Sequence, residues 1–349
     1  MNTDMTPIQR VLTTLGHQEP DRVPLFLLLT IQGAKELGMS IKEYFSTAEN
    51  VVKGQLLMQK KYHNDCLVGY YYGAIEVEAW GGSVIYFDDG PVNAGEPIIK
   101  QFADINKLRP PVPGESPCLV KVLDTITMLR ERSEDIPILG LAISPFSLPV
   151  MQMGFPKYIE LMYQEPELFQ RLMAINEQFC VAWANAQFAA GVTAIAYYDP
   201  VSSSTVVSPQ QYLKTGFEIA KRTLAQFNGP TATHLASGRA FPNTDLIAQS
   251  GTAALGCSVL EDLAELKHAC RGKLTLIGNL NAIEMRRWTV ETAEENVKEA
   301  IAKAAKGGGF ILSDNHGEIP WQVSEEVLLA ISAAIRKWGK YPIKISNHG

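Results

Sequence analysis

No C-x-x-C pair occurs in this chain, and its five cysteines (Cys66, Cys118, Cys180, Cys257 and Cys270) are odd in number and scattered. That pattern excludes a disulfide framework and predicts reduced thiols in a cytoplasmic protein. Positive charge is also short: 31 Lys and Arg against 37 Asp and Glu leave a net charge of -6. Nucleic acid and anionic membrane surfaces need a basic face, so neither is expected as a partner. No apolar run reaches the ~18 residues of a membrane span. Met1-Asn2-Thr3-Asp4 has neither a basic n-region nor an apolar core, so no secretory signal is expected. No G-x-G-x-x-G or P-loop follows any apolar run, which argues against a doubly wound nucleotide-binding sheet.

What is present is globular: 46% apolar and 19% charged over 349 residues, ample length for a sizeable core. The apolar residues fall in short runs with helical sequence between them. The runs are Val23–Ile31, Cys66–Gly73, Ile136–Ser144, Val192–Ser202, Thr231–Ser237, Ala253–Val259, Leu274–Leu280 and Phe310–Ser313. Near-continuous apolar runs of this length read as parallel strands buried on both faces. Alternating with helices, eight of them predict an α/β fold, a (β/α)8 TIM barrel. Residues 1–349 read as a single barrel domain with an N-terminal helical segment, Thr6–Gly16. Ser83–Phe87 and the turn Asp88-Asp89-Gly90-Pro91 read as a β-hairpin insertion after strand two. Long helical stretches are expected over 40–62 and 209–227.

In such a barrel the site lies at the carboxyl ends of the strands. Strand two delivers Tyr70, Tyr71 and Tyr72, then Glu76 and Glu78; strand four delivers Tyr198 and Asp199. Strand five ends at His234 and Ser237, strand six at Cys257 and Glu261, strand seven at Asn279. Strand eight breaks from Phe310-Ile311-Leu312 into Ser313, Asp314, Asn315 and His316. Each histidine alone reads as a hydrogen-bonded rim residue; two in one layer read as ligands of a zinc ion. The third ligand is open between Cys257, Glu78, Asp199 and Asp314, with Cys257 taken, although a buried cysteine also serves as a small hydrophobe. Asp199, Glu78 and Asn279 are assigned to catalysis, and Tyr70, Tyr72, Tyr198 and Asp314 to substrate binding. The tyrosine run either alternates between core and surface or turns one or two rings to the pocket.

Several motifs resemble, in order and over essentially the whole chain, the uroporphyrinogen decarboxylase superfamily. They are R-V-L-T-T-L-G-H-Q-E-P-D-R-V-P (Arg10–Pro24), E-A-W-G (Glu78–Gly81), Y-D-P-V-S (Tyr198–Ser202), S-P-Q-Q-Y (Ser208–Tyr212), I-G-N-L-N (Ile277–Asn281) and S-D-N-H-G-E-I-P (Ser313–Pro320). The resemblance implies the same barrel. The decarboxylase branch carries an arginine-rich segment after the first strand and an Asp after the second. Here those positions read Gln32-Gly33-Ala34-Lys35-Glu36 and about Gly73. A substrate rich in carboxylates would be desolvated there without partners, so this is not read as a true uroporphyrinogen decarboxylase.

The E-A-x-G segment resembles instead the corrinoid-dependent methyltransferase branch. Its coenzyme M members bind zinc through H-x-C on strand five and a Cys on strand eight. This chain has His234-Leu235-Ala236 and His316 at those places. A harder donor set suits polarising an oxygen better than activating a thiolate. The implied function is demethylation of a methylated small molecule, favoured as an O-demethylation of a methoxylated aromatic. The methyl group would pass to the Co(I) corrinoid of a partner protein, with a metal or a general acid activating the leaving group. No D-x-H-x-x-G is present, so the corrinoid is expected on the partner. A methylcobamide-dependent thiol or folate methyltransferase is the alternative. A non-catalytic corrinoid- or tetrapyrrole-binding barrel is the alternative from another class.

Overall fold

The computed structural model describes residues 4–345; Met1–Thr3, part of the segment read for a secretory signal, and residues 346–349 lie outside the described residues. Its strands are β1 (Leu25–Phe26), β2 (Leu67–Val68), β3 (Val84–Ile85), β4 (Asn93–Ala94), β5 (Ile138–Ile143), β6 (Ala194–Tyr198), β7 (Thr231–His234), β8 (Ala254–Gly256), β9 (Thr275–Leu280) and β10 (Phe310–Asp314). Eight of them form one parallel sheet in the order β1-β10-β9-β8-β7-β6-β5-β2, with helices between successive strands. This is the (β/α)8 barrel order, and each apolar run of the sequence supplies one strand. β3 and β4 pair separately and antiparallel, Val84 opposite Ala94 and Ile85 opposite Asn93.

The outer members of the sheet, β1 and β2, meet at a seam made partly by side chains. The Asp65 N–H donates to the Leu25 carbonyl at 2.8 Å. The Asn64 amide group accepts from the Leu27 N–H at 2.7 Å and donates to the Leu27 carbonyl at 2.9 Å. A side-chain amide thus satisfies backbone groups that a two-residue strand leaves over.

The apolar runs follow from burial on both faces. Phe26, Leu28 and Ile311 join Tyr70 and Ile143 in one cluster. Their neighbours Leu25, Leu27, Phe310 and Leu312 pack with Val297, Ile301, Val327 and Ile331 of the last two helices. Successive strand residues point to opposite faces, so both sets must be apolar.

The opening motif is largely structural. Arg10 pairs with Asp21 and Asp65, both at 2.7 Å, and Arg22 pairs with Asp65 at 2.6 Å. Asp65 also accepts from the Leu25 N–H at 2.8 Å. These buried charges tie the first helix (Pro7–Leu15) to the starts of β1 and β2.

The expected long helices are interrupted. One breaks into Ile41–Tyr44 and Ala48–Tyr62, where Thr47 accepts from the Asn50 N–H and restarts the helix. The other breaks into Pro209–Lys214 and Gly216–Leu224. Three short helices, Gln32–Leu37, Ile75–Ala79 and Pro149–Met153, follow β1, β2 and β5 directly. Each is too short for an amphipathic period to announce it.

Candidate active site

A cavity of about 400 Å³ opens at the carboxyl ends of β2, β5, β6 and β10. Its wall is apolar and aromatic, with Tyr70, Tyr72, Ile143, Met151, Phe155 and Tyr198 on it, while His316 and Glu318 bring titratable groups. No Arg or Lys is among its lining residues. Along β6 the alternate residues Ala194, Ala196 and Tyr198 are part-exposed while Ile195 and Tyr197 are buried. Tyr198 faces the cavity, so the small alanines share its face and leave room beneath it.

The tyrosine run divides by the same alternation. Tyr70 and Tyr72 reach the cavity. Tyr71 points to the helix layer, where its hydroxyl shares a 2.7 Å hydrogen bond with Thr125. The Tyr70 hydroxyl donates to the Gly317 carbonyl at 3.0 Å. The Tyr72 hydroxyl donates to Glu78 at 2.6 Å and lies 3.2 Å from the Tyr86 hydroxyl. Glu78 therefore anchors a cavity ring to the helix Ile75–Ala79, as Tyr86 does to the segment carrying β3, and Glu78 does not itself line the cavity. Among the described residues the Tyr198 hydroxyl makes no hydrogen bond, and it lies against Gly317, where φ is +92° and a side chain would collide with it.

His234 and His316 do approach each other. His234 is buried and stacks on Tyr198, centroids 4.7 Å apart and planes 15° apart. Its Nδ1 accepts from the Ala236 N–H at 3.0 Å, leaving Nε2 buried with no partner among the described residues. Burial, then the proximity of His316, lowers its pKa to about 4. The ring is therefore neutral at physiological pH. His316 Nδ1 is bonded to the Ser237 hydroxyl, and burial lowers its pKa as well.

Cys257 is not brought to them. In the β7–β8 register His234 stands opposite Gly256, and a Cβ on Gly256 would meet the imidazole. Gly256 thus shares the face of His234, and Cys257, the next residue, turns the other way. There its thiol donates to the Leu255 carbonyl at 3.6 Å among the apolar side chains of the helix layer, and burial pushes its pKa well up. Among the described residues no group of three His, Cys, Asp or Glu side chains is gathered as a metal site requires. The donor set His234, His316 and Cys257 does not fit a shared zinc ion.

Asp199 lies behind the cavity wall. It accepts from the hydroxyls of Ser144 at 2.5 Å, Ser147 at 2.7 Å and Ser202, and burial raises its pKa. It knits the loops after β5 and β6 together. Asn279 donates to the Ser258 carbonyl at 3.1 Å and bridges the ends of β9 and β8. Asp314 is buried, and its Oδ2 accepts from the N–H groups of His316 and Gly317 at 2.8 and 2.7 Å. It shapes the turn that presents His316 and Glu318. Its Oδ1 has no partner among the described residues, and burial lifts its pKa to about 6.

Glu318 is the residue that sequence reading passed over. It opens onto the cavity and accepts from the Thr30 hydroxyl. Burial, reinforced by nearby Asp314 and only partly offset by Thr30, raises its pKa to about 7. Its one sequence signal was membership of the G-E-I-P motif. Glu76, fully buried after β2, accepts from the Ile143 N–H at 2.9 Å, and burial raises its pKa to about 8, but it does not line the cavity. Among the described residues, Tyr198 Oη on the cavity, His234 Nε2 of the ring stacked on Tyr198, and Asp314 Oδ1 near it are buried polar atoms without a hydrogen-bond partner. Buried polar groups are nearly always paired, so such a cluster marks a place completed by water or ligand.

A (β/α)8 barrel with an aromatic cavity and unpaired polar groups at its carboxyl end is an architecture built to act on a small molecule. The chain belongs to the uroporphyrinogen decarboxylase (URO-D) family, whose sequence pattern matches residues 6–338. The uroporphyrinogen decarboxylase of Idiomarina loihiensis is 24% identical, over 94% of this chain and 95% of its own length. That of Aeromonas salmonicida is also 24% identical, over 88% of this chain and 90% of its own. Among solved structures, a methyltransferase from Methanosarcina mazei superposes with a TM-score of 0.86 at 20% identity, covering 95% of this chain and 99% of its own. At that identity the likeness concerns the fold. No helix among the described residues is long and apolar enough to cross a membrane.

Proposed function

We propose that the chain is a methyltransferase that takes the methyl group of a methylated small molecule, in the first place a methoxylated aromatic. The acceptor is the Co(I) of a corrinoid carried by a partner protein. The observation that carries this reading is an aromatic-walled cavity with one carboxyl group on its lining, Glu318, whose pKa of about 7 keeps it half protonated at neutrality.

An aryl methyl ether is a poor methyl donor because phenolate leaves reluctantly. When the C–O bond breaks, both its electrons stay on oxygen. A proton delivered there by Glu318 turns the leaving group into a neutral phenol, as general acid catalysis requires. Thr30 holds the carboxyl group in place and stabilises the carboxylate left behind. Tyr70 and Tyr72 offer ring faces for an aromatic substrate. The corrinoid, when bound, supplies the electron pair that takes the methyl carbon. Exposed Phe155, Val206, Phe241, Leu260 and Ile283 follow β5 to β9 in turn and give the mouth an apolar rim suited to a protein partner.

Decarboxylation of a carboxylate-rich tetrapyrrole is disfavoured by a lining without Arg or Lys. The deciding experiment is a methyl-transfer assay with a Co(I) corrinoid protein across methoxyarenes, methylamines, methanol and methyl thiols, with uroporphyrinogen tested for loss of carbon dioxide. Turnover confined to methoxyarenes is expected. Turnover of methyl thiols alone, or of uroporphyrinogen, defeats the reading.

A further inference from the structure

The end of the barrel opposite the cavity holds a hollow of different character. It encloses about 720 Å³ and is lined by His17, Glu19, Lys267, Arg271, Lys306 and Gly307, among others. These residues come from the loop ahead of β1, from the helix Leu263–Ala269 with the turn that follows, and from the loop ahead of β10. All of these lie at the amino ends of the strands.

Its charge runs against that of the whole molecule. The chain carries -6, yet here Lys267, Arg271 and Lys306 gather with two histidines around a single carboxylate, Glu19. Among the described residues none of the three cations forms an ion pair. Glu19 is committed to the loop, accepting from the Gly307 N–H at 2.9 Å.

The hollow is also built. The Lys267 ammonium donates to the carbonyls of Gly308 and, at 3.2 Å, Gly309. Those neutral acceptors fix its position without cancelling its charge. Gly307, Gly308 and Gly309 all have positive φ, at +82°, +72° and +63°. A Cβ at Gly309 would stand 2.8 Å from His17 Nδ1 and 3.3 Å from Lys267 Nζ. Glycine there lets imidazole and ammonium crowd one point. The crowding is felt by both: burial and then Arg271 lower the Lys267 pKa to about 8, and burial and then Lys267 lower that of His17. Like charges held together by neutral acceptors are relieved when an anion enters.

We propose that this hollow binds a small multivalent oxyanion of the phosphate type, held by Lys267, Arg271 and Lys306. Three cations against Glu19 leave two positive charges, of which a monovalent anion would balance only one. The planar Arg271 fork and the fixed Lys267 point charge suit tetrahedral oxygens. The site is independent of the chemistry at the cavity.

The test is calorimetric titration of the full chain at low ionic strength with pyrophosphate, orthophosphate and citrate, repeated on Arg271→Gln and Lys267→Met. Pyrophosphate should bind the wild-type chain most tightly. Each substitution should weaken it about tenfold, the equivalent of ~1.4 kcal/mol. Arg271 is exposed, so its replacement leaves the fold intact and keeps the test decisive if the variant at the half-buried Lys267 does not fold. No binding to wild type, or equal affinity in Arg271→Gln, overturns the site. Citrate binding more tightly than pyrophosphate overturns the phosphate assignment.

Discussion

Replacing Glu318 by Gln tests the acid assignment on stability and on catalysis at once. The carboxyl group has a pKa raised from 4.5 to about 7, chiefly by burial. A group whose folded pKa exceeds its unfolded value contributes stability that is fully present below the unfolded pKa and lost as pH rises through the folded one. For Glu318 that window runs from about pH 4.5 to pH 7. At 1.36 kcal/mol per unit, the shift amounts to about 3 kcal/mol. The residue opens onto the cavity, where water screens it, so this is an upper figure. Glutamine copies the neutral carboxyl group and does not titrate. The unfolding free energy of Glu318→Gln minus that of wild type should therefore grow by up to about 3 kcal/mol between pH 4 and pH 8. Urea titrations at a series of pH values measure it. Glutamine also has no proton to give, so methyl transfer from a methoxyarene should fall by about 10²–10⁴-fold at neutral pH. A stability difference that stays flat with pH would refute the burial argument. A pH-dependent difference with wild-type turnover would leave the burial intact and remove Glu318 as the acid.

Three further outcomes follow from the geometry. Arg10→Ala leaves half-buried Asp21 without its cation and buried Asp65 with Arg22 alone, and should cost about 2–4 kcal/mol in urea unfolding with little change in the cavity. Cys257→Ala should leave metal content and methyl transfer at wild-type levels while lowering thermal stability, since its thiol packs in the apolar layer away from the histidines; a lost activity would reinstate it at the mouth. Asp199→Ala strips three serine hydroxyls of their acceptor and should destabilise by about 2–4 kcal/mol, whereas loss of turnover at unchanged stability would return Asp199 to a chemical role.

The barrel was legible because a parallel strand covered on both faces has no polar residue to spare. Runs such as Phe310-Ile311-Leu312 therefore stand out with no partner known. The carboxyl ends of those runs could be read off as the functional end, which placed Tyr70, Tyr72, Tyr198 and His316 at the cavity. Which face each residue takes was not legible. Gly256 and Cys257 are adjacent in the chain, and only the pairing of Gly256 with His234 across β7 and β8 shows that the thiol turns outward. Nor does the sequence show that Asp199 accepts from three hydroxyls of two loops.

Glu318 shows the division most clearly. In sequence it is an acid in a turn after a strand, with nothing to distinguish it from a solvated one. Its raised pKa depends on the surrounding protein that keeps water off it and on Asp314 two residues before His316, which together outweigh the opposing hydrogen bond from Thr30 in the loop after β1. Burial is a sum over neighbours remote in the chain, and periodicity carries only the order of elements. Sequence alone determined that strands would end in polar residues at one rim; the closed barrel decided which of those residues share the cavity and which of them keep a proton.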